Sequence, residues 1–162
     1  MMIRLIRNIA LAGVVAAIAG VGVASVSHAD MADTVKQRQD AMKGMGKANK
    51  TLKAYSQKGT GSAKAAGAAA AKIADTAGKI PSLFPKGTSE KDMMGKTYAK
   101  VAVWTKRGDF EKAAATLKTR AEAVVAAAKT GDQKKVAAAF GNMAKACGGC
   151  HKPFRTPKPK KK

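Results

Sequence analysis

The chain has 162 residues, a formal net charge of +21 and 4% aromatic residues. That length accommodates one ordinary domain with appendages rather than two full cores. Its two cysteines exclude a disulfide scaffold, a four-thiolate zinc site and an iron–sulfur cluster held by four cysteines.

In chain order, residues 1–29 have the features of an export signal. Arg4 and Arg7 give the positive start, Ile9 to Ser27 is uncharged, and Ser27-His28-Ala29 places small residues where a signal peptidase reads. An uncleaved membrane anchor is the competing reading, weakened by Gly13, Gly20 and Gly22. Cleavage after Ala29 places the protein in the periplasm. It removes two arginines and no acid, leaving +19 on 133 residues, with His151 as the remaining histidine.

Residues 30–155 form the expected domain. Four stretches carry apolar residues at spacings of three and four, the pattern of bundled helices. The first runs through Val35, Met42, Met45 and Leu52, with Arg38 and Asn49 also in the seam. The second has Ala63, Ala66, Ala70, Ile73, Ala77 and Ile80. The third has Phe110, Ala114, Leu117, Ala121, Val124 and Ala128, extending back to Val103 and Trp104. The fourth has Val136, Phe140, Met143, Cys147, Cys150 and Phe154.

Asp30 or Asp33 can open the first helix, Ser62 the second and Asp132 the fourth. Ser89-Glu90-Lys91-Asp92 resembles a capping box. Short connections flank a longer linker, Ile80 to Gly95, which gives an all-α, antiparallel four-helix bundle. Gly44 and Gly46 inside the first helix imply that its backbone approaches something bulky, whereas Gly108 can mark a helix boundary. Residues 156–162, with prolines and lysines, are expected to be a flexible basic tail.

Cys147-Gly-Gly-Cys150-His151 carries the chemistry. Cys-x-x-Cys-His is the attachment signature of c-type haem. On a helix these residues share one face, so two thiols can add across the porphyrin vinyl groups while His151 reaches the iron. A Cys147–Cys150 disulfide, a thioredoxin-like redox pair and a zinc site remain alternatives. The disulfide would close a very small loop, the redox pair wants a strand–helix context, and zinc lacks a fourth ligand.

With its haem motif at the end of the last helix, the chain resembles the class II c-type cytochromes, cytochrome c′ and its low-spin relatives. The resemblance rests also on Phe154 and Arg155 after the motif, on Arg38-Gln39-Asp40-Ala41-Met42-Lys43 with Gly46, and on Leu83-Phe84-Pro85 and Trp104. It spans the whole domain but not the basic tail. It implies one haem c per chain, bound covalently through Cys147 and Cys150, with His151 as proximal ligand. It further implies that Arg38 faces a haem propionate and that Met42 lies over the distal iron face. Homodimers are common in that family.

Two modes of action follow. Met42 ligation gives a low-spin single-electron carrier, the reading favoured here, because a soft thioether stabilises Fe(II). An unligated Met42 leaves a five-coordinate iron that binds NO or CO. A charge of this size attracts acidic redox proteins or an anionic membrane face. Nucleic-acid or polyanion binding is the remote alternative, since the lysines form no single stripe. No constellation of catalytic residues is present, so no enzymatic activity is expected.

Overall fold

A computed structural model describes residues 28–158. The expected export signal, apart from its last two residues, and the last four lysine-rich tail residues lie outside the described residues. The chain runs through α1 (His28–Lys58), α2 (Ala63–Lys79), a 3-10 turn (Pro81–Leu83), α3 (Ala102–Thr105), α4 (Arg107–Lys129) and α5 (Gln133–Phe154). The four long helices form the antiparallel bundle, and the described residues contain no strand beyond one isolated bridge, Ala99 with Arg155.

The helix ends show why these segments fold as they do. The Ser62 side chain accepts from the Ala65 amide, and Asp132 accepts from the amides of Lys134 and Lys135. Both satisfy first-turn donors that lack helical partners. Gly59 and Gly131 turn the chain at φ 65° and 71°, a conformation that a Cβ disfavours. The first helix differs from expectation, beginning at His28 rather than behind Asp30 or Asp33.

Two further boundaries differ. The third helical stretch breaks at Lys106 (φ −120°, ψ 49°), so the turn α3, carrying Val103 and Trp104, is separate from α4. Gly108 therefore lies in the first turn of α4, beside that boundary. Ser89 and Asp92 do form the reciprocal box. The Ser89 amide donates to Asp92 Oδ2 at 2.9 Å, and the Asp92 amide donates to Ser89 Oγ at 3.3 Å. Yet the box closes a single turn, and the backbone leaves it through Gly95 at φ 74°.

The core follows the expected seams, including all six residues predicted on α4. Alanine lets α2 and α4 approach closely: a Cβ on Gly67 would stand 3.1 Å from the Ala128 Cβ. At one end, Tyr55 on α1 donates to the Gly131 carbonyl, and Gln133 Nε2 donates to the Tyr55 carbonyl at 3.0 Å. These bonds place the C-terminus of α1 at the start of α5. Its N-terminal half consequently runs beside the cysteine-bearing half of α5.

The 80–101 linker covers that second end. Trp104 Nε1 donates to the carbonyls of Phe84 and Pro85 at 3.1 and 3.0 Å, and Arg107 donates to the Pro81 carbonyl at 2.8 Å. Phe84, Phe110 and Phe154 meet edge-on, with centroids 4.9 and 5.3 Å apart.

Candidate haem site

Cys147, Cys150 and His151 lie on α5, two turns or less from its C-terminus. Helical spacing puts the three side chains on one face. Both thiols are free, half-buried and packed against the core cluster, so the disulfide alternative is not formed here. Pro153 has no amide to give the Gly149 carbonyl, and the helix closes with the Arg155 amide donating to the His151 carbonyl at 3.0 Å.

Burial sets the protonation of all three groups. It pushes the Cys147 thiol up, and pushes Cys150 up to about 11 with added repulsion from Cys147. It pushes His151 down, with help from the Arg155 charge. The site thus presents two protonated thiols and a neutral imidazole whose lone pair is available to a metal. Thiols of this kind are what vinyl addition consumes, and a neutral nitrogen is what iron binds. Among the described residues no group of three or more His, Cys, Asp and Glu side chains could hold a metal ion without such a cofactor.

The surroundings fit a large flat group. Beyond its chain neighbours and its own helix backbone, a Cβ on Gly44, Gly46, Gly148 or Gly149 would meet nothing within 4 Å, and Gly46, Gly148 and Gly149 are exposed. Protein side chains do not crowd Gly44 and Gly46, so the bulky group expected beside them is not supplied by the described residues. Met42 is half-buried and packs against the same core cluster as Cys147 and Cys150.

Arg38, expected from the sequence to face a haem propionate, is buried against the linker by neutral acceptors. It is 3% exposed. Its guanidinium donates to Thr88 Oγ1 at 2.8 Å, the Thr88 carbonyl at 2.6 Å and Thr97 Oγ1 at 2.6 Å. It also lies 4.7 Å from the Phe84 ring centroid. No carboxylate pairs with it among the described residues. Burial lowers its pKa to about 10, which still leaves it a cation at neutral pH. Arg38 thus ties α1 to both ends of the 88–97 segment, and Gln39 adds a bond to the Lys96 carbonyl at 2.6 Å.

Sequence reasoning missed this segment as a wall of the site. Thr88 and Thr97 are fully or almost fully buried, although they read as ordinary loop residues. The same wall grips the C-terminal end of α5. The Lys100 amide donates to the Phe154 carbonyl at 3.1 Å, the Thr156 amide to the Tyr98 carbonyl at 2.9 Å, and the Thr156 hydroxyl to Glu90 Oε2. The first tail residue is consequently anchored rather than free.

A helical bundle with this thiol–thiol–imidazole set on its last helix defines a class II c-type cytochrome. The family described as Cytochrome C′ matches residues 33–155. Cytochrome c′ of Pararhodospirillum photometricum is 32% identical over 121 residues, covering 75% of this chain and 94% of that protein. Cytochrome c-556 of Agrobacterium tumefaciens (strain B2A) is 34% identical over 128 residues, covering 78% of this chain and all of that protein. The crystal structure of cytochrome c′ from Thermochromatium tepidum superposes with a TM-score of 0.72 at 30% identity, covering 78% of this chain and 97% of that one. A cytochrome c′ described as having an unusual ligand-controlled dimer dissociation also gives 0.72, at 27% identity, with the same coverage. The chain belongs to the cytochrome c′ family. It is a haem-bearing electron-carrying protein, with haem c bound covalently through Cys147 and Cys150.

Proposed function

We propose that this is a periplasmic cytochrome c′ in which His151 is the proximal ligand and Met42 covers the distal face without binding the iron. When bound, the haem would supply one-electron redox chemistry and could take a small neutral ligand such as NO or CO. His151 is suited to its role because burial keeps the imidazole unprotonated. Cys147 and Cys150, four and one residues before it on the same helix, would fix the ring beside it. Met42, half-buried against the core cluster, would give the distal side an apolar lining that admits a neutral diatomic more readily than an ion. Arg38, through Thr88 and Thr97, holds the linker over this end of the bundle, and its buried charge is available to a propionate.

The observation that carries this reading is the half-buried Cys147–Cys150–His151 face in a bundle matching cytochromes c′ along nearly their whole length. These comparisons support the gas-binding form better than the Met-ligated carrier favoured from sequence. The second reading retains a specific support: Met42 stands one turn after Arg38 and packs on the cysteines' core, in a chain that matches a cytochrome c-556 end to end. The ferrous optical spectrum separates the two. Rapid, complete CO binding is expected; a low-spin spectrum that CO changes slowly or in part assigns the sixth position to Met42. Self-association is part of the proposal, by likeness to the dimeric cytochrome c′ whose dissociation a ligand controls.

A further inference from the structure

The charge of this protein is unevenly answered. Lys36 and Lys43 bracket Asp40, Arg107 meets Glu111, Lys118 meets Glu122, and Lys135 meets Asp132. From Val136 to the C-terminus, by contrast, the sequence carries seven lysines and arginines and no acid. The fold concentrates part of that charge beside His151 and adds to it from the linker. Lys100 Nζ donates to the Lys152 carbonyl at 3.3 Å, Ala99 pairs with Arg155, and Lys158 Nζ lies 5.7 Å from the Tyr98 ring centroid. Lys100, Lys152, Arg155 and Lys158 form no ion pair among the described residues. At the edge of this cluster Glu90 accepts from the Thr156 hydroxyl.

We infer that this basic end, formed by Lys100, Lys152, Arg155 and Lys158, is the docking face for an acidic redox protein. The inference rests on the electron-carrying reading of the same site. Lys152 directly follows His151 in the chain, so a partner drawn here arrives next to the haem attachment. On docking, the partner's reduced centre loses one electron and the ferric haem gains it, with no proton or atom transferred. Unpaired lysines elsewhere do not offer this. Lys50, Lys53 and Lys58 run toward the opposite end of α1, where Tyr55 meets Gly131. A lipid face is the poorer match, because insertion needs exposed apolar side chains. The single large one among the described residues, Met94, lies on the linker turn rather than in this cluster. Complementary charge chiefly raises the rate of encounter, so the effect belongs in the bimolecular rate and its salt dependence.

The test uses the full haem-loaded protein in its ferric state and reduced flavodoxin, an acidic one-electron donor, as the probe. Lys100→Gln, Lys152→Gln and Lys158→Gln are combined in one variant. Lys50→Gln, Lys53→Gln and Lys58→Gln form a control of equal net charge. Reduction at low salt should slow on the order of tenfold in the first variant, with a flatter salt dependence, and change less than about twofold in the control. Equal slowing of both variants, or none in either, overturns the assignment. So does an unchanged flavodoxin rate accompanied by lost binding to phosphatidylglycerol vesicles, which gives the face to lipid. A chain with no Soret band reducible by dithionite overturns the electron-carrying reading itself, a separate failure.

Discussion

Arg38 shows how much one side chain organises here. A guanidinium taken out of water needs partners for its donors, and it finds two threonine hydroxyls and a carbonyl on one linker. The sequence showed that an arginine in an apolar seam required explanation, yet could not name Thr88 and Thr97, which lie 50 and 59 residues away and carry no periodic pattern. The cysteines and His151 were legible because their spacing is itself the chemistry. Arg38→Met should leave both hydroxyls short of a buried donor and cost about 2–3 kcal/mol, since hydrogen bonds to charged groups contribute roughly 1.5–3 kcal/mol each and the new side chain recovers some packing. Urea unfolding of the haem-loaded protein measures this. A midpoint equal to the wild type would mean that the clamp contributes nothing.

At the scale of elements, the four long helices were readable and the linker was not. Helical seams repeat over many residues, so an error in one residue does not hide them. A capping box is only four residues long, and Ser89–Asp92 satisfies its hydrogen bonds without any helix following. The break at Lys106 is similarly invisible, because Val103 and Phe110 keep helical spacing across it while both are buried. Acid titration probes the Ser89 turn directly. Hydrogen bonds from Ser89 hold the Asp92 carboxyl below its ordinary value of 3.8. A depressed carboxylate contributes stability that is complete above the unfolded pKa and is lost as pH falls through the folded one. The Ser89 amide resonance should therefore stay constant down to about pH 4 and shift below it. A shift centred above that value would contradict the hydrogen-bonded turn.

For the whole molecule, the balance between a thin protein core and a bound haem decides the fold's stability. Ala66, Ala70, Ala74 and Ala77 face Ala114, Ala121 and Ala128 across α2 and α4, and each alanine buries little apolar surface. A haem joined to Cys147 and Cys150 would add a large apolar disc at the end where glycines leave α1 and α5 uncrowded. Cys147→Ala combined with Cys150→Ala should give a chain that unfolds over a broad range or is degraded during expression. A cooperative thermal transition matching the wild type would show that the polypeptide is sufficient alone.

Every functional statement depends on the ring being joined to Cys147 and Cys150 in an exported chain. Intact mass under denaturing acid, on protein purified from the periplasm, tests this most directly. The expected mass is that of residues 30–162 plus one haem, retained through denaturation. The mass of the polypeptide alone, with the two thiols unmodified, would contradict it.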